Sequence, residues 1–406
     1  MTHGAEAASS TGLRIVVLSW RDSGHPEGGG SELYAESVMS GLAERGHAVT
    51  LLTARYPGSS RREQGPGYRV LRAGGRFTVY LRALLRILLR RVGPFDVVVD
   101  VQNGMPFLTR LVTRKPVVVL CHHVHREQWS IALGGTRMGR VAARIGWFVE
   151  SRLAPRFYRG CRYITVSGVS ADELVELGVR RADIDVVHNG ALPARVLGDR
   201  SDTPELLVLG RLVPHKRVEH AVRAVAALSG ELPDLRLTIV GHGWWEPHIR
   251  AEVQRLGVTE RVHLTGHVEE DDKQDLLSRT WVLATPSVKE GWGLCVIEAA
   301  AHGTPSVAYH GAGGVTESIL DDQTGLLAND ETDFIRQVRR LLTDRALRER
   351  LGAQARLHAD QFSWASTTTA FERILWQVTG TAPLGETGFL PAPRSSPDDQ
   401  LIAVRS

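Results

Sequence analysis

The chain has 406 residues, 43% apolar and 23% charged, the composition of a folded protein with room for two or three domains. Its net charge of +4 suits an anionic ligand or an anionic membrane surface without selecting either, and nothing in it asks for nucleic acid. Three cysteines, Cys121, Cys161 and Cys295, form no CxxC pair, which excludes a zinc ribbon or a disulfide framework and suits a reducing cytoplasm; no apolar run reaches membrane-spanning length.

Residues 1–12 are small and polar and are expected to be disordered. Strand-like and helix-like segments then alternate, the pattern of parallel βα units. Leu13–Trp20 reads as a strand, Glu32–Arg45 as a helix and Ala48–Thr53 as the next strand. Between them, Gly28-Gly29-Gly30-Ser31-Glu32 is a loop whose backbone can come close to phosphate or sugar, with Ser31 placed to N-cap the helix. The basic segment Phe77–Val92 is amphipathic: Phe77, Leu81, Leu84, Leu85, Leu88 and Val92 share one face, opposite Arg82, Arg86, Arg90 and Arg91. Its leucines are expected to pack inward, with the arginines free to face anionic headgroups.

Phe95–Val101 and Pro116–Cys121 are further strands. The second ends in Cys121-His122-His123-Val124-His125, open at this level to a metal cluster or to structural histidines. A helix over Met138–Tyr158 and strands Tyr163–Val166 and Ile184–Val187 close the first half. Breakers within 188–203 mark a linker, which divides the chain into domains at 13–195 and 196–362.

The second half repeats the alternation, with strands Leu206–Leu209, Leu235–Val240, Val262–Thr265, Trp281–Thr285 and Ser306–Tyr309, then helices near Thr332–Leu342 and Ala346–Asp360. Gly210-Arg211-Leu212-Val213-Pro214-His215-Lys216 follows its first strand; two cations at one strand end can grip a diphosphate. Gly241-His242-Gly243 follows the next, and Glu246 in the last glycine position weakens a dinucleotide reading. Glu290-Gly291-Trp292-Gly293-Leu294-Cys295-Val296-Ile297-Glu298 spans a strand-to-helix passage, with glycines for diphosphate approach and carboxylates for sugar or ribose hydroxyls. Gly311-Ala312-Gly313-Gly314 with Glu317 is equally a packing or a binding turn. Residues 363–380 carry enough apolar surface to return to the first domain, and 381–406 read as a flexible tail.

The order Gly-Arg-Leu-x-x-x-Lys, Gly-x-Gly and paired Glu resembles the retaining glycosyltransferases of family 4 over roughly residues 13–377. The resemblance implies α/β architecture with two Rossmann-like domains facing across a cleft, the GT-B type. It implies transfer of a hexose from a nucleoside-diphosphate sugar to an acceptor hydroxyl, lipid-linked or polysaccharide, without a metal ion or other cofactor. By the same resemblance Arg211 and Lys216 would hold the diphosphate with the backbone of Gly291, Gly293 and Leu294. Glu290 would lie near the sugar's 3- and 4-hydroxyls, Glu298 would take the ribose diol, and one of His122, His123 and His125, with His122 fitting best, would touch the sugar. Gly29 and Gly30 would face the donor from the first domain, and His267 and Val268 would meet the base. His242 stands where the family often has an acid. A nucleotide-sugar 2-epimerase, or a non-catalytic lipid- or partner-binding module of the same fold, would share much of this pattern. The implied location is cytoplasmic, peripheral on the inner face of the membrane if the basic helix meets lipid.

Overall fold

The computed structural model describes residues 12–126, 129, 136–195 and 198–381. The expected disorder of 1–12 and the tail 381–406 therefore lie outside the described residues, apart from Gly12 and Thr381. Eight strands form the first sheet: β1 (Arg14–Leu18), β2 (Ala48–Thr53), β3 (Arg62–Gln64), β4 (Arg69–Arg72), β5 (Val97–Val101), β6 (Val117–Cys121), β7 (Arg162–Thr165) and β8 (Ile184–Val186). Their order is β3-β4-β2-β1-β5-β6-β7-β8, parallel except for the β3–β4 pair. Val97–Val101 and Val117–Cys121 are buried throughout, as strands covered on both faces must be. A second, all-parallel sheet of β9 (Glu205–Leu209), β10 (Arg236–Val240), β11 (Val262–Gly266), β12 (Val282–Thr285), β13 (Ser306–Tyr309) and β14 (Gly325–Ala328) runs in the order β11-β10-β9-β12-β13-β14. In each sheet the order reverses beside the first strand, at β1/β5 and at β9/β12. Ligand crevices of open parallel sheets form at such points, beyond the carboxyl ends of the strands.

The helix Trp364–Thr379 crosses back to the first lobe. Phe371, Ile374 and Leu375 are buried in one apolar cluster with Tyr34, Val38 and Leu42 of the helix Gly30–Glu44. Each such side chain contributes about 1.5–3 kcal/mol by leaving water. Glu372 accepts from Arg45 at 2.6 Å and lies 2.8 Å from His47 Nε2. Ser363 caps this helix and Gly380, at φ +68°, ends it.

Three local expectations are corrected. The helix in 77–92 is Val79–Leu88, and it docks through Val79, Ala83 and Ile87; Phe77, Leu81, Leu85 and Leu88 face outward. The segment holds two apolar stripes, and the slimmer one fits against the sheet. The Met138–Tyr158 helix is interrupted: an α-helix over Arg137–Phe148 passes through a π turn at Val149–Leu153 into Ala154–Phe157. Pro155 has no N–H to offer the regular ladder. The N-cap of Gly30–Glu44 is Gly29, not Ser31.

Candidate active site

Two glycine turns of the second lobe lock together and aim Arg211. Gly210 N–H donates to Val240 O and Leu212 N–H to His242 O, both at 3.0 Å. A Cβ on Gly241 would lie 2.0 Å from Gly210 O, and one on Gly243 2.1 Å from Leu212 O. The Gly-x-Gly turn is thus the seat of the Arg211 loop. Arg211 leaves that seat toward the first lobe, where its Nε lies 3.4 Å from the Cβ position of Gly29. Burial, followed by the charge of Arg21, holds its guanidinium below the ordinary value, with Glu32, Glu27 and Glu290 opposing.

Lys216, at the end of the same loop, meets Glu290 beyond β12. Its Nζ lies 2.5 Å from Glu290 Oε1, and Ser287 Oγ donates to the same oxygen at 2.6 Å. Burial alone would raise the Glu290 carboxyl, but Lys216 and Ser287 outweigh it and keep the group below its ordinary range, ionised at neutral pH. The late glycine turn fixes this loop. Glu290 N–H donates to Ala312 O and Gly314 N–H to Glu290 O, both at 2.9 Å. Trp292 anchors the motif from behind, stacked on His188 with ring centroids 4.3 Å apart and packed on Phe362. Gly293, at φ +85°, turns the chain into the helix Leu294–Ala301, whose first N–H groups have no intrahelical acceptor. Leu294 reaches toward Gly30 across the cleft.

Glu298, on that helix, pairs with Lys273 at 2.8 Å, and Lys273 also meets Glu270 at 2.8 Å. Burial raises the Glu298 carboxyl, and Lys273 is the main opposing influence. Replacing Lys273 with Met should push Glu298 further up. If Glu298 takes the ribose diol, nucleotide affinity should then begin to fall at a higher pH than in the wild type as the solution is acidified, by about tenfold at its largest, the size of one charge-assisted hydrogen bond. Calorimetry of nucleoside diphosphates across pH checks this. An unchanged profile in Lys273→Met would remove Lys273 from the site.

The first lobe contributes from β1, β5 and β6. Glu32 accepts the N–H of Gly29 at 2.9 Å and the amide of Asn103 at 3.0 Å. Arg21 Nε approaches Glu32 Oε1 to 2.8 Å. His122 is buried, edge-on to Tyr34 at 5.1 Å, and burial pushes its pKa down to about 3, so the ring is neutral. Its Nε2 has no partner among the described residues. Gly291 lies directly against His122, since a Cβ there would stand 2.4 Å from His122 O. The other two histidines turn elsewhere: His123 stacks on His125 at 4.2 Å, and His125 Nδ1 lies 3.6 Å from Glu150.

The lobes are also clasped directly. Glu317 accepts the N–H groups of Gly168 and Val169 at 2.9 and 2.7 Å, at the start of the helix Gly168–Glu176. Lys289 pairs with Glu173 and donates to Val124 O. His242 Nε2 lies 3.1 Å from Pro26 O.

The cleft therefore gathers Arg211, Lys216, Glu290, Gly291, Gly293, Leu294, Gly29, Gly30 and His122. Glu298 stands one turn further along its helix. His267 and Val268 sit apart at the end of β11, two strands from β9; Val268 leans on the core, and His267 meets His242 edge to face. Sequence reasoning missed Arg21, Asn103, Lys273, Lys289 and the clasping role of Glu317. For Arg21 the signal was present, a charge at the end of the central strand β1.

Residues 28–195 match the sequence profile of Glycosyltransferase Family 4, and residues 194–358 that of Glycosyl transferases group 1. A glycogen synthase of Mycobacterium tuberculosis is 31% identical over 268 positions; the match spans 64% of this chain and 62% of that relative. A D-inositol 3-phosphate glycosyltransferase of Kribbella flavida is 28% identical, with 89% of this chain and 95% of the relative covered. Among solved structures, a sucrose-phosphate synthase of Thermosynechococcus elongatus superimposes with a TM-score of 0.75 at 21% identity, covering 91% of this chain and 99% of that one. An Anabaena protein in complex with UDP and glucose does so with a TM-score of 0.69 at 17% identity, covering 90% of this chain and all of that one, or 100%.

Proposed function

The chain belongs to glycosyltransferase family 4 and has its GT-B fold, and from that premise we propose that it transfers a hexose from a nucleoside-diphosphate sugar to an acceptor hydroxyl with retention at the anomeric carbon. The observation that carries the reading is the Lys216–Glu290 pair at 2.5 Å, set where β9 and β12 part and beside Arg211. The diphosphate lies against Lys216, Arg211 and the N-terminal amides of Leu294–Ala301. As the anomeric bond breaks, charge grows on the leaving phosphate, and these groups stabilise it in place. Glu290 stays ionised and accepts from sugar hydroxyls. His122, neutral and with Nε2 unpartnered, hydrogen-bonds the sugar from the first lobe. Glu298 takes the ribose diol. The departing phosphate oxygen accepts the acceptor's proton on the same face of the sugar, so no protein base is needed. A UDP-sugar is the first donor to try, since the Anabaena neighbour was solved with UDP and glucose.

Two cations and a helix terminus supply the positive charge, so the reaction proceeds without a divalent ion. The test is turnover of UDP-, GDP- and ADP-sugars with and without EDTA. Product of retained configuration at an unchanged rate in EDTA is expected. Inverted product, or loss of turnover on chelation, would overturn the mechanism. Interconversion of the donor without an acceptor would instead identify a 2-epimerase.

A further inference from the structure

The β-strands of the first lobe alternate between two cores. Ile15, Val17, Val99 and Leu120 face the helices Gly30–Glu44 and Trp364–Thr379, while Val16, Leu18, Val98 and Val119 face the opposite side. Val79, Ala83 and Ile87 pack on that opposite side, as do Ala154 and Tyr158 of the chain that continues the helix Arg137–Phe148. The helix Val79–Leu88 thus covers this face of the sheet, and the helix Arg137–Phe148 leads into a segment that packs on it.

Both turn large apolar side chains to solvent. Phe77 is 84% exposed, Leu81 62% and Leu88 57%; Met138 is 85% exposed, Val141 55%, Ile145 56% and Phe148 54%. The four on Arg137–Phe148 recur at helical spacing, so they form one stripe. Exposed apolar groups in such number mark a contact surface.

Arginines accompany both stripes: Arg82, Arg86, Arg90 and Arg91 on the first segment, Arg137, Arg140 and Arg144 on the second. No Asp or Glu occurs in 77–92 or 136–149. Among the described residues none of these seven arginines has an ionic partner, although exposed arginines elsewhere do, as in Arg14–Asp96, Arg339–Glu231 and Arg345–Glu349. Arg86 is held below its ordinary value by burial and then by Arg62, Arg82 and Arg91, which shows how closely the like charges crowd. A second copy of this face would oppose arginine to arginine. An anionic lipid surface satisfies both halves of the pattern, with acyl boundary for the apolar stripes and phosphates for the guanidinium forks. No described helix is long and apolar enough to cross a membrane, so the contact is interfacial.

We propose that this side of the first lobe, with Val79–Leu88 on the sheet and Arg137–Phe148 leading into it, docks on an anionic bilayer with Phe77, Leu81, Leu85, Met138, Ile145 and Phe148 at the acyl boundary. The docking stands apart from the glycosyl-transfer reading, because its test needs no turnover.

The full chain is floated with phosphatidylcholine vesicles and with vesicles that also contain phosphatidylglycerol. Binding to the second kind alone is expected, weakening as salt rises. Two variants separate the contributions: Leu81→Ser with Leu85→Ser and Ile145→Ser, and Arg82→Gln with Arg91→Gln, Arg140→Gln and Arg144→Gln. Each should weaken binding about tenfold or more with an unchanged melting temperature, since the altered side chains lie at the surface. Equal binding to neutral vesicles, no binding to either kind, or full binding by both variants would overturn the proposal. So would light scattering that shows a dimer dissolved by the serine variant in a protein that ignores lipid.

Discussion

Replacing Lys216 with Ala is expected to lower the turnover rate by about 10²–10³, the usual size of losing one preorganised donor at a developing oxyanion. The same change leaves Glu290 buried without its cation. Both side chains are less than a quarter exposed, at 21% and 13%, so the pair is partly shielded from solvent and its loss should cost on the order of 1–3 kcal/mol of stability. The pH dependence follows from the direction of the shift. Glu290 is depressed below its ordinary 4.5, so its contribution is full above that value and is lost as pH falls through the folded pKa. In Lys216→Ala that acid-side dependence should shrink. The double variant Lys216→Ala with Glu290→Gln separates the two roles. It removes the orphaned charge, so the melting temperature should recover while turnover stays low. Recovery of both would make the pair a structural strut. Turnover near wild type in the single variant would leave the diphosphate role without support.

Gly314→Ala should be nearly as damaging, by a different route. A Cβ there would stand 2.0 Å from Gly291 O and 2.8 Å from Ser167 Oγ, so it presses on backbone from one lobe and a side chain from the other. Overpacking of this kind costs about 1–3 kcal/mol. Relief requires the Glu290–Gly291 loop to move, and a shift near 1 Å at a positioning loop costs about 100-fold in rate. Gly230→Ala is the control, because nothing lies within 4 Å of its Cβ position. Thermal melting and donor turnover of both variants measure the effect. A Gly314→Ala protein that matches Gly230→Ala in both would show that the late glycine turn does not hold Glu290.

The parallel architecture was legible because buried strands such as Val117–Cys121 are unbroken apolar runs bounded by turns. The candidate site was legible where its residues lie close in sequence: Arg211 and Lys216 on one loop, and Glu290, Gly293 and Glu298 on one strand-to-helix passage. What distance in sequence hides was missed. Lys273 joins Glu298 only when the helices Glu270–Arg279 and Leu294–Ala301 pack, and Glu317 meets Gly168 across 149 positions. Both are ordinary surface charges until the chain folds. The short pair β3 and β4, Arg62–Gln64 and Arg69–Arg72, is too polar to announce itself as sheet. In Phe77–Val92 a periodicity count favoured the bulkier stripe, while the sheet accepted the slimmer one through Val79, Ala83 and Ile87. The glycine turns were visible as motifs, but not which backbone each one admits. Gly241 and Gly314 receive the carbonyls of Gly210 and Gly291, and that packing converts flexible residues into a fixed site.

If cations of the second lobe hold a sugar-linked diphosphate in the cleft, nucleotide binding depends on Arg211 and Lys216. Titration calorimetry of UDP, GDP and ADP, and of their glucose conjugates, into the wild-type chain and into Arg211→Ala with Lys216→Ala tests it most directly. Binding of at least one nucleotide by wild type is expected, with affinity about 100-fold weaker in the double variant from two lost charge-assisted contacts. A wild-type chain that takes up none of the six, or a double variant that binds as tightly as wild type, would contradict the account.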